Sequence, residues 1–160
     1  MNIKEQNFLE SSEPVTINKP ALMFWSRLIQ TGAAVVLALS AVLLLAPSTG
    51  ISIFNFVYYQ TFSSTGLESN SPYIQFAHGI IGAVLAGWMI GIIILARSPF
   101  IAGERYAWNT ITFSLAGWFL IDTGFSLFHA IWGNVFLNLA IALLFGIPLL
   151  ATHKYFTLKK

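Results

Sequence analysis

Four nearly charge-free runs of roughly twenty or more residues fill most of this chain and decide what it can become. They cover about 22–46, 73–96, 106–129 and 132–151. As helices rising about 1.5 Å per residue, each is long enough to cross a hydrocarbon core of about 30 Å. In lipid a helix satisfies its backbone hydrogen bonds within one segment, and none of the runs shows the alternation of a membrane barrel strand. The sequence therefore predicts an all-α fold: an integral membrane four-helix bundle. Solvation gives the same answer. Only 9% of the 160 residues are charged and 56% are hydrophobic. A soluble domain carries about 25% charged residues to face water, so the surroundings of this chain are largely lipid.

The connections set the topology. Lys4, Lys19 and Arg27 lie before or at the start of the first span, Arg97 and Arg105 between the second and third, and Lys154, Lys159 and Lys160 after the fourth. All eight basic residues fall on one side, and the positive-inside rule makes that side cytoplasmic, with both chain ends there. A bacterial cytoplasmic membrane is the expected location. Membrane boundaries thus account for the net charge of +2, and no nucleic-acid partner is expected. With no cysteine, the chain has no disulfide, thiolate metal site or c-type haem attachment.

Residues 1–20 are polar and read as a flexible cytoplasmic tail. They lack the basic start and small-residue cleavage site of a secretory signal. Residues 21–153 form the membrane domain, and 154–160 a basic cytoplasmic tail. The third and fourth spans are joined by a few residues around Ala130–Gly133, which makes them antiparallel neighbours. The loop from Pro47 to Pro72 is long, and its first half, Ile51 to Phe62, is too apolar to float in water. It predicts a short helix in the outer interface, with Tyr58 and Tyr59 at headgroup depth, acting as a lid or as a gate. Residues 63–71 read as a polar turn region.

Gly79, Ala83, Gly87 and Gly91 recur every four residues in the second span, widened by Gly82 and Ala86. Such spacing lets helix backbones approach closely in lipid, here against other helices of the bundle or against a second copy. Trp88, Trp108, Trp118 and Trp132 are expected to include interfacial anchors and lipid-facing bulk, and Pro148 predicts a kink in the fourth span.

The candidate site comes from polar residues at membrane depth. Asp122 is the sole acid within a spanning segment. A carboxylate there costs about 2.5–3.5 kcal/mol or more when ionised, so it should face the bundle interior and find a partner, or carry a proton. It lies about 10 Å below the outer boundary, with Ser126 and His129 on the same helix face; His78 lies about 8 Å below the boundary. Asn138 and Ser40 fall in the same layer. His78 coupled to Asp122 can pass protons or hold a polar ligand head such as a quinone carbonyl or a lipid hydroxyl. The alternative is a buried polar network that fixes helix register. His78 and His129 are also candidate axial ligands of a haem, although a depth difference of about 8–9 Å separates them. Asn109, Thr112 and Tyr106 line an inner vestibule or, with Glu104 and Arg105, cap the start of the third span. No HExxH, GxGxxG, P-loop or carboxylate-rich metal motif is present.

The stretch from Gly103 to Asn138, with Gly-Glu-Arg-Tyr-Ala-Trp, then Ala-Gly-Trp-Phe-Leu-Ile-Asp-Thr-Gly-Phe-Ser-Leu and Gly-Asn-Val-Phe-Leu-Asn, resembles small four-helix bacterial membrane proteins of unassigned function. The resemblance spans about residues 73–152, includes Asp122, Ser126, Asn134 and Asn138, and implies no reaction, cofactor or partner. Two functional classes follow from the residues. One is a ligand-binding or accessory subunit, holding lipid, quinone or pigment, or packing into a larger membrane complex or homo-oligomer. The other is a membrane enzyme or proton-coupled carrier built on His78 and Asp122.

Overall fold

The computed structural model describes residues 19–59 and 71–157, which are helical almost throughout. Helix α1 is Lys19–Leu45, α2 Pro47–Tyr59, α3 Pro72–Ala96, α4 Ser98–Ile101, α5 Arg105–Phe128 and α6 Trp132–Thr157. Four helices are long and apolar enough to cross a membrane: α1, α3 continued through α4, α5, and α6. The all-α, four-span bundle is therefore the fold observed. The expected tail and turn at 1–18, 60–70 and 158–160 lie outside the described residues.

Prolines set several helix starts. Pro47 opens α2, Pro72 opens α3 and Pro99 is the second residue of α4, positions where a missing N–H costs nothing. α2 occupies the apolar half of the long loop and starts at Pro47, ahead of the expected Ile51. α6 runs on past Ala151 to Thr157 because its apolar face does not end there: Thr152 and Phe156 are fully buried, and the Phe156 ring packs 4.9 Å from that of Phe100. The helix continues through Pro148, where the Thr152 hydroxyl donates to the Pro148 carbonyl at 2.7 Å.

The turn between α5 and α6 is a Schellman motif. Ile131 N–H donates to the Ser126 carbonyl at 2.8 Å and Ala130 N–H to that of Leu127 at 3.1 Å. This requires a left-handed residue, and Ala130 fills the place at φ 57°.

α1 packs most extensively on α3, and α5 on α6; α1 also contacts α6, whereas α3 barely meets α5. The order around the bundle is thus α3, α1, α6, α5, with a loose seam between the last and the first. Ser26 ties α1 to α3 by donating to the Ala96 carbonyl, and Trp108 ties α5 to α6 by donating from Nε1 to the Leu149 carbonyl at 3.0 Å. Leu22, Ile29, Ala33, Met89, Ile92, Ile111, Leu115 and Phe145 form a continuous core. Outward faces carry large apolar side chains such as Val84, Leu120, Ile121, Phe136 and Leu150, a surface suited to acyl chains.

Two close approaches use glycine. A Cβ on Gly82 of α3 would meet the Ser40 carbonyl at 2.7 Å and the Leu44 nitrogen at 3.0 Å, so α1 and α3 touch backbone to backbone there. On Gly133, at the start of α6, it would overlap the Val57 carbonyl of α2. The expected strip fares differently. Nothing among the described residues lies within 4 Å of a Cβ built on Gly79, Gly87 or Gly91, and Ala83 is exposed, so this face does not pack against the described helices. The four-residue spacing marks one face of α3, but the face turned to α1 carries Gly82, Met89 and Ala96 instead.

Candidate functional site

Between the helices, toward the end of the bundle that carries α2, lies a cavity of about 330 Å³. Val36 and Leu39 of α1, Phe54 and Tyr58 of α2, Leu85 and Trp88 of α3, Trp118 and Asp122 of α5, and Asn134 and Asn138 of α6 all contribute to its lining. Its walls thus draw on every helix but the four-residue α4. A volume near the lower end of the usual ligand-site range, apolar walls and a few polar groups at one place are the usual features of a binding pocket.

The polar groups form two neighbouring hydrogen-bonded sets where α5 meets α6. Asn134 and Asn138 are one helical turn apart and share a face of α6, while Asp122, Thr123 and Ser126 lie opposite on α5. The Asn134 Nδ2 group donates to Ser126 Oγ at 2.7 Å and to Asp122 Oδ2 at 3.2 Å. Ser126 Oγ donates in turn to the Asp122 carbonyl at 2.7 Å, one turn back. Asn138 Nδ2 donates to Thr123 Oγ1 at 3.3 Å. Asn134, Asn138 and Ser126 are buried, and Asp122 is half-buried at the cavity wall. The two amides spend N–H groups on protein acceptors. Their own oxygens and the carboxylate remain, and the site is rich in acceptors.

Of the five residues expected to form the polar layer, Asp122 and Ser126 are linked through Asn134, and Asn138 lines the same cavity as Asp122 while bonding to Thr123. His78 does not reach Asp122: its Nδ1 pairs with the Ile74 carbonyl at 2.8 Å, its ring stands edge-on to Phe54 at 5.5 Å, and it does not line the cavity. Ser40 turns back to the Val36 carbonyl at 2.8 Å and is buried against α3. Depth counted along the sequence leaves the helix rotation free, and rotation decides which face a side chain takes. His129 stands exposed at the end of α5 against Phe125 and Phe128, so neither imidazole lines this cavity and the haem arrangement does not fit it. An enzyme or carrier mechanism relying on His78 with Asp122 loses its paired groups.

Several cavity residues were not singled out by their depth. Asn134 repeats Asn138 at four-residue spacing, which is the signal that identifies it. Trp88 and Trp118, expected as anchors or lipid-facing bulk, instead face each other across the α3–α5 seam with ring centroids 5.8 Å apart. The Trp88 Nε1 donates to Ser114 Oγ at 3.4 Å, a weak link across the same seam. Phe54 and Tyr58 enter because α2 packs over this part of the bundle. At the opposite end, Glu104 stands at the N-cap of α5 but makes no side-chain cap, Tyr106 is exposed, and Thr112 lines a separate apolar groove between α5 and α6. No family model, curated protein or solved structure matches the chain.

Proposed function

We propose that this protein binds a small, largely apolar molecule with a polar head in the cavity between its spans, and that it does so in a bacterial cytoplasmic membrane with both chain ends inside. The observation that carries this reading is the cavity itself: about 330 Å³, walled by Leu, Phe and Trp side chains, with Asp122, Asn134 and Asn138 gathered at one wall. A purely structural polar network pairs its groups and excludes space. This one leaves room beside a carboxylate that receives, among the described residues, one hydrogen bond. The eight one-sided Lys and Arg residues support the orientation, which puts the cavity in the outer half. The α3–α5 seam, spanned by Trp88 and Trp118, is the natural route in from the bilayer.

The test is to purify the protein in mild detergent and identify co-purifying small molecules by mass spectrometry of the intact complex. A defined adduct in the wild type that is lost in Asn138→Leu supports the reading. The same lipids bound non-stoichiometrically to both proteins would overturn it.

A further inference from the structure

Asp122 sits beside the cavity without a cationic partner. Among the described residues its carboxylate has one hydrogen-bond donor, Asn134, and no Lys, Arg or His lines the cavity. Arg27, Arg97, Arg105 and Lys154 all lie toward the other end of the spans. The remaining polar groups do not replace a cation. Both hydrogens of the Asn134 amide are directed to Ser126 and Asp122, and the Asn138 amide donates to Thr123. A carboxylate at membrane depth is costly without a compensating charge, and none of the described residues supplies one here.

The rest of the lining has a matching character. Phe54, Tyr58, Trp88, Trp118 and Phe145 contribute five aromatic rings to the same cavity. The faces of such rings carry negative potential and attract organic cations, most strongly when the site excludes water, and rings around a cation are the recurrent means of recognising quaternary ammonium groups. A carboxylate and five rings thus favour the same sign of charge. An anionic head, whether phosphate or carboxylate, would meet Asp122 and two amide oxygens with few free donors.

We infer that the ligand of this cavity is a lipophilic organic cation, its charge held by Asp122 and the aromatic walls, and its apolar body taking the space toward Leu85, Met89 and Ile141. This rests on the binding reading above and specifies the ligand's charge. The structure favours a cation over a neutral amphiphile because the carboxylate, and not merely the amides, borders the space.

The test uses two probes of one shape. Phenyltrimethylammonium and tert-butylbenzene differ by a nitrogen for a carbon, and so by one positive charge. Binding to the purified wild-type protein is measured for both by tryptophan fluorescence, since Trp88 and Trp118 line the cavity, and by calorimetry. The expected result is at least about tenfold tighter binding of the cation. Asp122→Asn should remove most of that preference by weakening the cation far more than tert-butylbenzene, and Trp118→Leu should weaken the cation more than its neutral isostere. Equal binding of the two probes would overturn the cation inference and leave the cavity as a site for apolar molecules. Failure of both to bind would also overturn it, and the adduct measurement on the intact protein then decides the binding reading separately. Circular dichroism of each variant keeps loss of fold distinct from loss of binding.

Discussion

The carbonyl of Val57 in α2 rests where Gly133 of α6 has no side chain, so that even a methyl group at position 133 would overlap it. This contact seats the short helix on the bundle and brings Phe54 and Tyr58 over the cavity. Gly133→Ala should force α2 outward. Overpacking of this kind costs about 1–3 kcal/mol, so thermal unfolding in detergent should shift down, and Trp88 and Trp118 should become more accessible to an aqueous quencher. Unchanged melting and quenching would mean that α2 is not held at this point.

Gly82 and Gly87, both on α3, should behave oppositely. Gly82 is covered by the α1 backbone and Gly87 has open space where a Cβ would go. Gly82→Ala should destabilise by about 1–3 kcal/mol through overpacking. Gly87→Ala should be neutral or stabilise by about 0.5–1 kcal/mol, because alanine is the better helix former. Equal losses at both positions would show that the Gly87 face is also packed, for example against a second copy.

These two glycines also mark the limit of what the sequence reveals. Span number and the antiparallel α5–α6 pair were legible because lipid leaves the backbone one economical option and long apolar runs are unmistakable, whereas the end of the fourth span was not, since buried Thr152 and Phe156 carry it to Thr157. Helix rotation was not legible either. Gly79, Ala83, Gly87 and Gly91 mark one face of the helix and Gly82, Ala86 and Met89 another, and only the approach of Ser40 and Leu43 to Gly82 selects the second. The site divides in the same way. Asp122 with Ser126 could be read from one helix face, and Asn138 from its depth, but His78 and Ser40 share that depth while turning to Ile74 and Val36. Trp88 and Trp118 were legible as aromatic residues in spans, not as a pair, since their meeting depends on the loose α3–α5 seam.

The α5–α6 turn offers a stabilising substitution. Ala130 holds a left-handed backbone at φ 57°, a conformation costing a non-glycine residue about 1–2 kcal/mol. Ala130→Gly removes that strain and gives part of it back through the freer unfolded chain, for a net gain of about 0.5 kcal/mol. A rise in unfolding midpoint is expected, and a fall would mean that the Ala130 methyl is used in packing.

Orientation has a direct check. Because every Lys and Arg lies at one end of the spans, a cysteine replacing Ser64 should react with an impermeant reagent in intact cells, while one replacing Ser98 should react only after lysis. The reverse pattern would invert the protein and place the cavity in the inner half.

The polar set of α5 and α6 separates structure from binding. Asn134 supplies donors to both Ser126 and Asp122, so Asn134→Leu leaves two acceptors without their partner at membrane depth. Interhelical bonds in this setting contribute about 0.6–2 kcal/mol, and a loss of stability of that size is expected in a denaturant titration. Asp122→Asn keeps an oxygen where Asn134 donates and removes a charge that no cation among the described residues balances, so its stability should stay within about 0.5 kcal/mol of wild type or exceed it. Occupancy should respond in the other sense. A ligand held by charge is lost from Asp122→Asn although the protein is as stable as before. A variant that is markedly less stable, yet keeps its bound molecule, would make Asp122 a strut between α5 and α6 and not the group that faces the ligand.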